Sequence, residues 1–262
     1  GTFPIGIDYD AYAEQAAGAE VARVANALRA HLPDRQLILG VDRLDYTKGI
    51  PERLEAFRLA LRRFPQLHRR VTLIQVVVPS REDIGSYHAL RTRIEQLVGE
   101  INGEFTDPGG WVPIHYVFRT LSRVDLLAYY RAAEIALVTP LCDGMNLVAK
   151  EYCACTPDGN GVLILSEFAG AAAQLHRAAL VVNPFDVEQM AGAIAQAVDM
   201  PAEERRSRLR YLRRVVRRES VFWWVEKFLG AAFGRDLRAF PHPPDYVPRP
   251  PSEESFWGGE PD

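Results

Sequence analysis

The sequence predicts an α/β fold: a Rossmann-like, doubly wound parallel sheet. Two observations carry that prediction. Six short runs rich in Val, Ile and Leu are nearly continuous in apolar character rather than alternating, as expected of strands covered on both faces. Between them lie segments whose apolar residues recur at helical spacing. Strands alternating with helices of this length imply βαβ units with right-handed crossovers.

The strand runs are residues 36–42 (QLILGVD), 71–79 (VTLIQVVVP), 114–118 (IHYVF), 135–140 (IALVTP), 162–166 (VLILS) and 180–183 (LVVN); residues 3–7 are also strand-like. Helical spacing places Leu54, Phe57 and Leu61 on one face of residues 51–63, and Leu90, Ile94, Leu97 and Ile101 on one face of residues 86–101. Residues 123–133, 145–155 and 187–198 follow the same pattern. Residues 202–229 read as one or two terminal helices. Eight arginines fall between Arg205 and Arg218, and the apolar stripe Leu209, Leu212 and Val216 behind them marks a solvated helix face rather than a nucleic-acid patch. Phe222, Trp223 and Trp224 are expected to anchor the end of this region by burial. One domain is therefore expected over residues 1–240, its terminal helices at 202–230. From Pro241 to Pro251 six of eleven residues are proline, so residues 241–262 form a proline-rich tail outside the domain.

Composition removes several function classes. The chain has 262 residues, 48% apolar and 25% charged, the balance of a soluble globular protein. Its 31 basic and 34 acidic residues leave a net charge of −3, so no basic field points to nucleic acid or an anionic membrane. No apolar run approaches the roughly 20 residues of a membrane span, and nothing resembles a signal peptide. The three cysteines, Cys142, Cys153 and Cys155, are too few and oddly counted for a disulfide framework. Cys153 and Cys155 would point about 200° apart on a helix, which suits reduced thiols in a cytoplasmic protein.

Common nucleotide and catalytic signatures are missing. There is no G-x-G-x-x-G, no G-x-x-x-x-G-K-[ST], no H-E-x-x-H, no paired C-x-x-C and no G-x-S-x-G. No D-x-D stands at a strand end; Asp8 and Asp10 read as a turn or a helix cap. No histidine pair has metal-ligand spacing, and no metal or other cofactor is expected.

Two strand ends remain. The first, GVDRLDYTKG (residues 40–49), offers Arg43 and Lys48 at the carboxyl end of a strand, where open α/β sheets bind ligands. Both cations are placed to grip a diphosphate; the alternative is a pair of surface ion pairs, Arg43–Asp45 and Lys48–Asp42. The second, DGMNLVAKE (residues 143–151), reads as a helix capped by Asp143, with Gly144 letting a ligand approach the backbone. Such a helix start is an anion site, and Glu151, one turn beyond Leu147, is placed to accept from the two hydroxyls of a ribose. The alternative is a plain capped helix with a Lys150–Glu151 surface pair. Together the two segments form the kit for a nucleoside diphosphate-sugar, with fixed cations and a helix end neutralising the leaving diphosphate in place of a metal.

These motifs, with VPSRED (78–83), TPLCDGMNLVAKEY (139–152), LSEFAGAA (165–172) and VNPFD (182–186), closely resemble the trehalose-6-phosphate synthases, retaining glycosyltransferases of the two-domain GT-B fold. The resemblance runs from about Phe3 to Leu229. It implies transfer of glucose from a nucleotide-glucose, commonly UDP-glucose, to glucose 6-phosphate. It puts Arg43 and Lys48 on the donor diphosphate, and Asp143 with the backbone of Gly144, Met145, Asn146 and Leu147 on the glucose hydroxyls. Leu147, Val148 and Glu151 would cover phosphate and ribose, the loop at Thr120 and Leu121 the base, and Arg81 the acceptor's phosphate. Arg43, Lys48 and Asp143 would carry the catalytic burden. Cys142 departs from the family, where arginine is common, as do the Cys153–Cys155 run and the proline-rich tail.

The resemblance also implies that the family's amino-terminal domain is not in this sequence, so that the chain is an isolated carboxy-terminal, donor-binding half, inactive alone. Glucosylglycerol-phosphate synthases and pseudo-glycosyltransferases share the motifs, and a non-catalytic nucleotide-sugar-binding module would retain them; these are the alternatives.

Overall fold

A computed structural model of the chain describes residues 3–80, 85–107 and 109–234. The described residues build one six-stranded, wholly parallel sheet in the order β3-β2-β1-β4-β5-β6. The strands are β1 Gln36–Arg43, β2 Val71–Val78, β3 Ile114–Phe118, β4 Ile135–Val138, β5 Val162–Ser166 and β6 Leu180–Val182, matching the six apolar runs. The helices are α1 Tyr9–Ala17, α2 Ala19–His31, α3 Ile50–Arg63, α4 Gly85–Phe105, α5 Arg123–Ala132, α6 Leu147–Ala154, α7 Ala172–Leu175, α8 Val187–Asp199, α9 Ala202–Arg218 and α10 Val221–Gly234.

Successive strand residues point to opposite faces, and both faces are covered. Leu37, Leu39 and Val41 of β1 join the core beneath α1, α2, α5, α6 and α9, while Ile38 joins the core beneath α3, α4 and α8. The stripe Leu54, Phe57 and Leu61 of α3 is wholly buried in the second of these, each side chain contributing roughly 1.5–3 kcal/mol of transfer free energy.

Several sequence expectations change. Residues 3–7 form no strand; their carbonyls instead accept from other elements, with Trp224 Nε1 donating to Phe3 O at 3.1 Å, Lys150 Nζ to Ile5 O at 2.6 Å and Val221 N to Ile7 O at 3.0 Å. Asp8 caps α1 by accepting from Ala11 N at 3.1 Å. Phe222 is 67% exposed and Trp223 and Trp224 are half-buried, so they do not anchor α10 by burial. In α9 the apolar stripe is buried, but the arginines are not a uniformly solvated face. Arg205 is buried, donating to the Met200, Ala197 and Val198 carbonyls at the end of α8, and Arg213 donates to Tyr9 Oη and the Thr156 carbonyl. The tail at 241–262 lies outside the described residues. No helix among the described residues is long and apolar enough to cross a membrane.

Candidate functional site

In a sheet of this order the strand order reverses between β1 and β4, and the crevice at their carboxyl ends is where open α/β sheets take ligands. Both chemistry-bearing loops open there. After β1, Asp45 accepts from Thr47 N at 2.9 Å and Thr47 Oγ1 at 2.8 Å, starting a single 3-10 turn over Tyr46–Lys48. Gly49 ends it at φ 62°, and a Cβ there would stand 2.7 Å from the Thr139 carbonyl, so this position needs glycine twice over. The turn is bonded to the loop after β4: Leu141 N and Cys142 N donate to Thr47 O at 2.8 and 3.2 Å.

The two loops also meet through side chains. Lys48 Nζ donates to Asp143 Oδ2 at 2.7 Å, with both side chains mostly buried. The alternative Lys48–Asp42 pair does not form, because Asp42 is taken by Arg53. That arginine is fully buried and also donates to Gln75 Oε1 at 3.2 Å, Thr139 Oγ1 at 3.0 Å and Lys48 O at 3.2 Å. Arg53 thus ties β1, β2, the end of β4 and the Lys48 turn together, and the sequence reading missed it. The Arg43 side chain is 64% exposed at the end of β1, and its ion-pair partner among the described residues is Asp45 at 4.0 Å, which leaves guanidinium donors to spare.

Asp143 does not cap α6. The cap is Asn146, which holds φ 59° and accepts from Ala149 N at 3.1 Å. Asp143 sits one turn earlier and accepts from Met145 N, Asn146 N and Asn146 Nδ2, each at 3.2 Å. Burial opposes its charge, yet Lys48 and these donors together hold its carboxyl below the usual range. The loop is braced from beneath by Gly170, whose amide donates to Asp143 O at 2.7 Å and whose Cβ position would collide with Gly144 O. At Gly144 itself a Cβ would meet no protein atom and Met145 is 58% exposed, so room for a ligand remains beside this backbone. The first turn of α6 leaves the amides of Leu147 and Val148 without intrahelical partners, at the positive end of the helix.

Glu151 is half-buried on α6. Tyr12 Oη of α1 donates to its Oε1 at 2.8 Å and Tyr130 Oη of α5 to its Oε2 at 2.9 Å. The Lys150–Glu151 surface pair is not formed: Lys150 is buried, bonded to Ile5 O and Gln174 Oε1. Thr120 and Leu121 follow β3 on the same carboxyl edge, and Leu121, Leu147, Val148 and Tyr12 pack against one core cluster. Cys142 is exposed beside Asp143, while Cys153 and Cys155 are buried. Arg81 lies outside the described residues. The sequence-predicted residues after β1 and β4 are thus brought to one crevice; Tyr12, Tyr130 and Arg53 are added by the structure.

Comparison with known proteins bears on the family and the fold. A trehalose-6-phosphate synthase of Mycobacterium avium (strain 104) is 47% identical over 232 residues, covering 88% of this chain and 47% of the relative. That of Mycobacterium leprae (strain TN) is 48% identical over 232 residues, covering 88% and 46%. Among solved structures, an alpha,alpha-trehalose-phosphate synthase (UDP-forming) from Burkholderia xenovorans in complex with glucose-6-phosphate superposes with TM-score 0.83 at 42% identity, covering 87% of this chain and 50% of that one. A structure described as trehalose-6-phosphate from E. coli bound with UDP-2-fluoro glucose gives TM-score 0.83 at 41% identity, with the same coverage. The chain therefore spans about half the length of the relatives it matches. With the family model for glycosyltransferase family 20 matching residues 1–232, the chain belongs to glycosyltransferase family 20.

Proposed function

We infer that this chain is the donor-binding half of a retaining glucosyltransferase that moves glucose from UDP-glucose to glucose 6-phosphate, giving trehalose 6-phosphate. The observation that carries the reading is the Lys48–Asp143 bond at the β1/β4 crevice, which makes one site of two loops far apart in sequence. The ligands named for the Burkholderia and E. coli relatives, glucose-6-phosphate and UDP-2-fluoro glucose, support the choice of substrates.

Arg43 and Lys48 take the diphosphate oxygens. Lys48 spends one ammonium hydrogen on Asp143 and keeps two. The start of α6 adds its partial charge, so the leaving diphosphate is neutralised by fixed groups and needs no divalent cation. Asp143 and the backbone of Gly144, Met145, Asn146 and Leu147 face the glucose hydroxyls; Leu147, Val148 and Glu151 line the phosphate and ribose; Leu121 lies on the base; the acceptor phosphate is assigned to Arg81 by the family resemblance alone. In the chemical step the anomeric carbon's bond to the diphosphate oxygen breaks with its electron pair going to that oxygen. The acceptor hydroxyl adds from the same face, and its proton passes to the departing phosphate oxygen. The protein acts by positioning and by charge stabilisation.

Turnover on this reading needs the half of the relatives' length that the chain does not match, so the 262-residue chain binds donor without reacting. Calorimetric titration of the chain with UDP, ADP and GDP tests the donor assignment. UDP is expected to bind most tightly, and absence of binding by any of the three contradicts the reading. Synthesis of trehalose 6-phosphate by the chain alone contradicts the division of labour.

A further inference from the structure

Both carboxylate oxygens of Glu151 are already engaged. Tyr12 comes from α1 and Tyr130 from α5, two helices that each contact α6, and each phenol takes one oxygen. An ionised carboxylate has about four acceptor positions, two on each oxygen. The phenols leave one position on each. That is the arrangement required by two hydroxyls on adjacent carbons.

The two donors are fixed in different ways. Tyr130 is fully buried, with its hydroxyl on Glu151. Tyr12 is half-buried, with the Arg123 guanidinium 4.3 Å from its ring centroid, and Arg123 Nε donates to Gln15 of the same helix at 2.6 Å. Burial and the Glu151 carboxylate push the Tyr12 hydroxyl up to about 12 and that of Tyr130 well above its ordinary value. Both therefore stay protonated, and remain donors, across physiological pH. With two hydroxyls aimed at it, the Glu151 side chain is held in one rotamer and presents only acceptor positions to a ligand.

We propose that Tyr12 and Tyr130 are positioning residues that lock Glu151 as a two-acceptor grip for a vicinal diol, making the site selective for ribonucleoside over 2′-deoxyribonucleoside diphosphates. This rests on the reading of Glu151 as the ribose acceptor. It adds residues from α1 and α5 to that reading, and a chemical consequence: the loss of one sugar hydroxyl leaves one held carboxylate position unpaired.

Calorimetry on the 262-residue chain with UDP and 2′-deoxy-UDP provides the test, with thermal melting as the check on folding. Wild type is expected to prefer UDP by about tenfold, the size of one hydrogen bond to a charged group. In Tyr12→Phe, which keeps the ring, UDP affinity falls roughly three- to tenfold while that for 2′-deoxy-UDP barely moves, so the preference shrinks toward unity. A tyrosine with a merely structural role would weaken both nucleotides alike and leave the ratio intact. An unchanged ratio in folded Tyr12→Phe overturns the lock. Wild-type binding of both nucleotides with equal affinity also overturns it, with no variant needed, and leaves the diphosphate site standing. Failure of wild type to bind either nucleotide overturns the reading of the site, and the lock with it.

Discussion

Lys48 donates to Asp143 across 95 residues of sequence, at 2.7 Å, and in doing so joins the loop after β1 to the loop after β4. Both partners are mostly shielded from solvent, so the pair is screened far less than a surface ion pair. Replacing Lys48 with Met removes the cation proposed for the diphosphate and frees the Asp143 loop together. Calorimetry should find UDP affinity about tenfold weaker or more, in line with one lost charge-assisted hydrogen bond. Affinity within twofold of wild type would separate Lys48 from the diphosphate.

Arg53 should matter for stability rather than for recognition. Its guanidinium is the partner of the buried Asp42, and also serves Gln75, Thr139 and the Lys48 carbonyl. Arg53→Met leaves a buried carboxylate uncompensated, which costs about 3–5 kcal/mol. Urea unfolding measures this directly; a loss below about 1 kcal/mol would contradict the stabilising role of the buried Arg53–Asp42 pair.

Asn146 offers a test of backbone conformation. It holds φ 59° and caps α6 through its side chain. Asn146→Ala loses the cap, worth roughly 1 kcal/mol, and with it the short polar side chain that lets asparagine, more readily than alanine, hold the left-handed region. Asn146→Gly loses the side chain but accepts the backbone, and should be the milder variant in the same unfolding assay. The opposite order would show that the loop relaxes out of this conformation.

Lys150 predicts a pH dependence. Burial pushes its ammonium down to about 8 from 10.5, with Glu219 partly opposing the shift. Between those values the unfolded chain binds more protons than the folded one, so this group's contribution to stability rises with pH and is least favourable below 8. The stability of wild type relative to Lys150→Met should therefore increase, by up to a few kcal/mol, as pH rises from 8 to 10.5. A flat difference across that window would contradict the burial of a charged ammonium.

The thiols should separate by burial. Cys142 is exposed, whereas burial pushes the Cys153 thiol up to about 12 and that of Cys155 further still. A disulfide reagent at neutral pH should modify one thiol of the folded chain quickly, and all three only on unfolding. Rapid modification of more than one would contradict the packing of α6.

The strands were legible because both faces of the sheet are covered, which makes each run continuously apolar. The α1–α2 region was not: its buried face is made of Tyr9, Ala16, Val21 and Ala25, and small residues leave a faint stripe. Arg43, Lys48 and Glu151 could be nominated because strand ends and helix starts have a known electrostatic use. Their partners could not, since nothing local announces that Tyr12 reaches a carboxylate 139 residues away or that Arg53 is buried against Asp42. The α6 cap was misplaced by three residues because Asp143 and Asn146 are both good cap residues, and only the left-handed backbone of Asn146 decides between them.

Arg43 tests the central claim most directly, because its guanidinium is largely solvent-facing and its removal disturbs little of the fold. Calorimetric titration of wild type and Arg43→Ala with UDP and with uridine separates diphosphate from nucleoside. The account predicts UDP affinity lowered about tenfold or more in the variant, with uridine binding unmoved. Equal UDP affinity in the two proteins, or a parallel loss for uridine, would contradict a diphosphate pocket built from the ends of β1 and β4.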